Sequence, residues 1–478
     1  MIYKQLAAQC ITDIKSGKIA AHSRMPSLRN FKMLNNTSMT SALNCYQHLE
    51  ALGWIISKPQ SGYFVCQQVR SQAQPELINF ESRTSDPKLG LSLKSYTPLI
   101  KTIGPLGYAR IDPEQLPLEQ LQHSFRRAIK RQSENISLYP SPEGKKILRD
   151  SLSAHFRRYD FHFSAEQLII SNGCMDAIQT ALEITTNVGD AVAISSPCYS
   201  GLLDMLNLLS RKVIEIPSTK QGIDLLQLEK HMQSGEVKAG LFCTSHMNPQ
   251  GTSMSAQQKQ QLVKLAEKYD TPIIEDDVYL EIAHGKVIPL PAKHWDKKGY
   301  VLWCGSVSKT LAAGYRLGWC LPGRYYKQYL TRRRYCNQGV TSPTQLAIAD
   351  FINNGEYACH LKKIRFNLHN HRLDYQHYLR QNLPVSSKIS DPSGGFVLWI
   401  QIPNLDSQQL FKQATKYNLD IRVGENFTTL GLYKDCFRIN IGYPLLQGNA
   451  FEINCLKQLE KLIDILSKLV PQHAKSAT

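Results

Sequence analysis

The sequence predicts two folds in tandem. A small winged helix-turn-helix of the α+β class comes first, followed by a large α/β unit on a mostly parallel central sheet. Three observations lead there. With 478 residues the chain is too long for one hydrophobic core. Residues 1–67 carry three short helical patterns and then two strand-like runs around a turn. From 101 to 470, short apolar runs alternate with amphipathic helical patterns, as crossover connections between parallel strands require. Residues 68–100, rich in Gln, Ser, Pro and charge, hold no sustained periodicity and read as a mobile or surface-draped linker.

Composition narrows the class of partner. The formal charge of +17 points to a polyanion, most simply nucleic acid. The 12 cysteines are scattered, with no CxxC pair, which is the usage of buried free thiols in a reducing compartment rather than a disulfide frame. No basic-then-apolar leader and no apolar run of bilayer length occurs, so a cytoplasmic protein without a membrane partner is expected. His360, His369, His371 and His377 lack paired ligand spacing, and no metal site is expected.

Within the first unit, Tyr3, Leu6, Ala7, Cys10, Ile11 and Ile14 form one helical face, and Gly17 supplies a stop. Pro26-Ser27 opens a second helix through Leu28, Phe31 and Leu34. Ser38 or a neighbour caps a third, facing inward with Ala42, Cys45, Tyr46, Leu49 and Leu52. Trp54–Ile56 and Tyr63–Val65 read as the hairpin. Lys4, Lys15, Lys18, Arg24, Arg29, Lys32, Lys58 and Arg70 face only Asp13 and Glu50 in opposition, a surplus suited to a phosphate backbone. The run GKIAAHSRMPSLRNF, with TSMTSALNCYQHLEALGWI and SGYFV after it, resembles the GntR family of bacterial DNA-binding domains. The resemblance implies that Arg24, Ser27 and Arg29 touch double-stranded operator DNA at the start of the second helix. It places Ser38, Thr40 and Ser41 in the major groove and Gly62 at the wing tip. Two residues depart from the family pattern: Ser23 stands for a usual Gly, and Met39, which cannot grip guanine with two hydrogen bonds, for a usual Arg.

In the large unit the chemistry-bearing residues fall where strands end, the ligand side of an open α/β sheet. Leu168–Ile170 runs into Gly173-Cys174-Met175 and a helix, whose free N–H groups make a cradle for an anion. Ala191–Ile194 leads to Tyr199, and Gly240–Cys243 leads to His246-Met247-Asn248-Pro249-Gln250-Gly251. Thr271–Ile274 ends in Glu275-Asp276-Asp277-Val278-Tyr279, and a carboxylate there needs a cation. Tyr300–Trp303 precedes Gly305-Ser306-Val307-Ser308-Lys309, a primary amine on a strand-end loop, with Arg316 beyond it as a fixed fork for phosphate. On Cys436–Asn440, Arg438 stands between apolar neighbours and suits a ligand carboxylate, which Gly394-Gly395-Phe396 would let the backbone approach. Arg332-Arg333-Arg334 reads as a solvated or dimer-edge run.

The order and content of these segments resemble the fold-type I pyridoxal-phosphate (PLP) enzymes of the aspartate aminotransferase superfamily. That resemblance implies a Schiff base between Lys309 and the cofactor aldehyde, with Ser306 and Arg316 beside the phosphate. Tyr199 would stack on the ring, Asn248 and Tyr279 would reach its phenolic oxygen, and Asp276, favoured over Asp277 by the DxxY spacing, would pair with its nitrogen. Tyr139, in Leu138–Gly144, would cross a homodimer to the partner's phosphate. Fused in this order, the two halves resemble the MocR subfamily of GntR-type transcriptional regulators. The expected function is a PLP-dependent regulator sensing an amine or amino acid at the Lys309 aldimine. A working aminotransferase with a DNA-binding attachment is the alternative.

Overall fold

The computed structural model describes residues 2–15, 18–20, 23–51, 54–58, 62–65, 73–88, 104–131, 136, 138–285, 287–336, 338–445 and 455–470. Two compact units result, Met1–Ala73 and Gln74–Thr478. The first holds α1 (Ile2–Lys15), α2 (Leu28–Leu34), α3 (Met39–Ala51) and an antiparallel pair, β1 (Ile55–Lys58) with β2 (Gly62–Val65). Its core is Ala7, Cys10 and Ile14 against Phe31, Ala42, Cys45, Tyr46 and Leu49. Ser27 and Ser38 cap α2 and α3, accepting from Asn30 N at 3.2 Å and Ser41 N at 3.0 Å. The Tyr46 hydroxyl ties α3 to the loop before α2 by donating to Pro26 O at 2.8 Å. Leu34, read as part of the second helix with Leu28 and Phe31, is 75% exposed, and Phe31 is the buried residue of α2. Leu52, Gly17 and the hairpin turn at 59–61 lie outside the described residues.

The sheet of the second unit is mixed rather than uniformly parallel. Its strands are β3 (Thr84–Ser85), β4 (Ile169–Ser171), β5 (Ala191–Ser196), β6 (Lys212–Thr219), β7 (Gly222–Ile223), β8 (Val237–Phe242), β9 (Ile273–Asp276), β10 (Val301–Ser306) and β11 (Gly318–Leu321). They run in the order β3-β6-β5-β8-β9-β10-β11-β4, with β7 folded back on β6. The central pairs from β6 to β10 are parallel, while β11 and β4 join antiparallel at one side. The central strands β5, β8, β9 and β10 are buried apart from Lys238 of β8, which accounts for their apolar runs.

A second, antiparallel sheet was not foreseen: β12 (Lys388–Ile389), β13 (Val397–Gln401), β15 (Cys436–Asn440) and β14 (Arg422–Val423), in that spatial order. Arg438 therefore reaches the site from a different sheet than Lys309.

The expected linker is in part structure of the large unit. Glu76 N donates to Gln401 Oε1 at 2.8 Å, Ser82 N donates to Gln227 Oε1 at 2.7 Å, and Thr84–Ser85 pairs with Val213–Ile214 of β6. Ile78 packs on Trp399, Phe427 and Tyr433. Such contacts are set by residues hundreds of positions away, so the segment shows no period of its own.

Candidate functional site

Five strand ends meet at one cavity of about 150 Å³. Cys174 and Met175 enter it after β4, Tyr199 after β5 and Asn248 after β8. Asp276 and Tyr279 come at and beyond the end of β9, and Ser306, Lys309 and Arg316 at and beyond the end of β10.

One end of the cavity is built for an anion. Gly173 has φ +93°, a conformation that strains any residue with a side chain, and a β-carbon there would stand 2.7 Å from Arg316 Nη2 and displace that guanidinium. The helix Cys174–Thr185 starts immediately after, directing its first N–H groups toward the cavity. Arg316, left-handed at φ 46°, donates from Nη2 to Asn172 O at 2.9 Å and keeps an exposed face. Helix terminus, guanidinium and the Ser306 hydroxyl together suit a phosphate.

The other polar groups surround the amine. Lys309 Nζ donates to Ala109 O at 2.8 Å. Burial pushes its pKa down to about 8, Arg438 and Arg316 add to the effect, and Asp276 opposes it. Asp276 is raised by burial, and is drawn the other way by the Cys174 thiol, which donates to Oδ1 at 3.3 Å. Asp277 points elsewhere and accepts from Trp303 Nε1 at 3.0 Å, and burial then Glu275 raise it to about 7. Of the two neighbouring carboxylates, Asp276 is the one that lines the cavity.

Asn248 links the last two residues. Its Nδ2 donates to the Tyr279 hydroxyl at 3.4 Å, and its Oδ1 accepts from Arg438 Nη1 at 3.3 Å. Arg438 is buried, donates also to Gly107 O, and has a buried Nε without a hydrogen-bond partner among the described residues. Burial and the nearby Arg422 lower its pKa to about 10.

Two expected placements change. Gly394 does not open toward a ligand: a β-carbon there would lie 2.3 Å from the His246 ring, which fills that space. Arg333 is fully buried and pairs with Asp176 at 2.5 Å, and Arg332 pairs with Glu183, so these two pack the helix Tyr326–Cys336 against Cys174–Thr185, while Arg334 is exposed. Tyr139, expected to act across a homodimer rather than within one chain, is 88% exposed. Sequence reading missed Tyr108, which lines the cavity, the carbonyls of Gly107 and Ala109, and the thiol of Cys174 on Asp276. The strand-Gly-helix turn already marked Cys174, whereas nothing local marks Tyr108.

In the N-terminal unit, Arg24, Ser27, Arg29, Ser38 and Thr40 are exposed and Ser41 is half-buried. The Arg24 guanidinium lies over Gly62, 3.5 Å from where a β-carbon would be, and Arg24 pairs with Phe64 beside β2. The Ser27 oxygen already accepts a cap hydrogen bond from Asn30 N, and Ser38 both accepts from Ser41 N and donates to Ser41 Oγ at 3.0 Å.

Residues 112–445 match the family described as aminotransferase class I and II. The chain is 32% identical to the HTH-type transcriptional regulator YdcR of Escherichia coli K12, over 96% of this chain and 98% of that protein. It is 30% identical to the regulator YjiR of the same organism, over 93% and 95%. A kynurenine aminotransferase structure from Pyrococcus horikoshii superposes with a TM-score of 0.70 at 24% identity, covering 78% of this chain and 94% of that one. The cradle at Gly173, the loosely protonated Lys309 and the buried Asp276 fit a phosphate-bearing aldehyde with a basic ring nitrogen. The chain belongs to the class I and II aminotransferase family, among the MocR-like HTH-type transcriptional regulators that carry such a domain, and its cofactor is pyridoxal phosphate.

Proposed function

We propose that this protein is a cytoplasmic, homodimeric transcriptional regulator that binds operator DNA and senses an amine or amino acid at Lys309. The observation that carries it is a lysine amine of lowered pKa lining a cavity between an anion cradle and a buried carboxylate, on the same chain as a separate basic unit. Bound there, PLP supplies an aldehyde that condenses with primary amines and a ring that withdraws electrons.

The chain's own residues then have distinct tasks. Lys309 offers a nucleophilic amine. The N–H groups at Gly173, Cys174 and Met175, the Ser306 hydroxyl and the Arg316 fork hold the phosphate. Tyr199 presents a ring face, while Asn248 and Tyr279 donate to a phenolic oxygen. Asp276 keeps a negative charge for the ring nitrogen, and Tyr139 reaches the site across the dimer. Arg438 takes the ligand's carboxylate. In the N-terminal unit, a winged helix-turn-helix, Arg24, Ser27 and Arg29 grip the phosphate backbone. Ser38, Thr40 and Ser41 face the major groove, with Gly62 at the wing. To shift the DNA-bound state, the ligand must bind two conformations unequally.

Adding PLP to the purified protein should raise a visible absorbance band that borohydride fixes at position 309. Candidate amines should change that band and the affinity for operator DNA together. Ligands that change the band while leaving DNA affinity untouched would remove the sensing role. Sustained turnover with a keto acid would instead identify a working aminotransferase.

A further inference from the structure

The structure assigns a further role to Tyr108: its ring limits the size of the ligand side chain that the pocket accepts. This inference rests on the sensing role proposed above.

The argument starts from the two carbonyls that flank Tyr108. Gly107 O accepts from Arg438, the proposed carboxylate site, and Ala109 O accepts from Lys309, the proposed amine site, at 2.8 Å. Tyr108 thus stands between the two points that an amino acid must reach. Its ring lies 5.8 Å from Lys309 Nζ and lines the cavity. An amino acid's side chain departs from the carbon between its amine and its carboxylate, so that side chain emerges against this ring.

The segment is held from outside the pocket. Asn440 Nδ2 donates to Pro105 O at 2.7 Å and to Arg110 O at 3.0 Å. Asn440 N donates to Leu106 O at 2.7 Å, and Asp112 N to Gly442 O at 3.1 Å. Gly107 fits so closely that a β-carbon there would come within 2.3 Å of the Asp420 carboxyl group. With its backbone pinned on both sides, Tyr108 can make room for a large ligand only by turning its ring away. The favoured ligand class is an amino acid with a small side chain.

The test titrates the PLP-loaded full-length protein with L-alanine and with L-phenylalanine, reading the cofactor absorbance. Wild type should bind L-alanine more tightly. Tyr108→Ala should shift the ratio of the two dissociation constants about tenfold toward L-phenylalanine, as opening an apolar pocket does. Tyr108→Phe, which keeps the ring, should retain the wild-type ratio. Tyr108→Leu, which preserves bulk for folding, should fall between wild type and Tyr108→Ala. An unchanged ratio in the Ala and Leu variants, or a wild-type preference for L-phenylalanine, overturns the role of Tyr108 alone. If neither amino acid alters the wild-type band, sensing of such ligands falls, and this inference with it.

Discussion

At the scale of single residues, the site turns on a lysine that gives up its proton easily. An ordinary lysine is about 0.1% neutral near pH 7.5, whereas one with a pKa of about 8 is about one-quarter neutral there. The condensation rate of cofactor-free protein with PLP should therefore climb with pH through a midpoint near 8, measured by stopped-flow absorbance. A midpoint above 10 would show that burial and the flanking arginines do not depress the amine. Gly173→Ala should weaken cofactor binding by about tenfold or more, because a β-carbon meets Arg316 and the turn has positive φ. A titration of absorbance against PLP concentration reads this directly. Much of this site was legible beforehand. The two-residue period of a strand separates Asp276 from Glu275 and Asp277, and the DxxY spacing selected the same residue. Tyr108 was illegible because its place is set by Asn440, more than three hundred positions later.

Helices and their ends carry the next level. In α3, the Ser38 oxygen satisfies an N–H that would otherwise have no intrahelical partner. Ser38→Ala should cost about 1 kcal/mol in the stability of the N-terminal unit, measured by denaturant unfolding of the isolated segment or of the full chain. Arg29, exposed in the first turns of α2, should act through phosphate. Arg29→Ala should weaken operator binding and reduce the slope of log affinity against log salt by about 1, measured by fluorescence anisotropy. No change in either quantity would place the DNA elsewhere on the unit. The elements themselves were readable from caps and apolar period, but their faces less so. Residues three apart drift by about 60° around a helix, so Leu34 rotates off the stripe begun by Leu28 and Phe31. Arg333 escaped for the opposite reason: it is buried, and its partner Asp176 belongs to another helix.

For the whole molecule, two compact units imply separable functions. A fragment of residues 74–478 should fold and bind PLP without binding operator DNA, checked by absorbance and by anisotropy. The strand alternation that announced the α/β class could not announce the second, antiparallel sheet, because two of its four strands are only two residues long and its pairings are gathered from residues 388 to 440. Nor could it show that residues 74–88 belong to the large unit.

That last attachment has a consequence for solubility. β6 is an eight-residue strand bearing Val213, Ile214 and Ile216, and its outer border is occupied by Thr84–Ser85 at one end and by β7 at the other. Trimming the chain to begin at residue 104 would strip the first of these guards and uncover the seat of Ile78 on Trp399 and Phe427. Unpaired amide groups beside an apolar strand recruit other chains. The shorter fragment should precipitate or self-associate in light scattering, where the fragment from residue 74 stays dispersed.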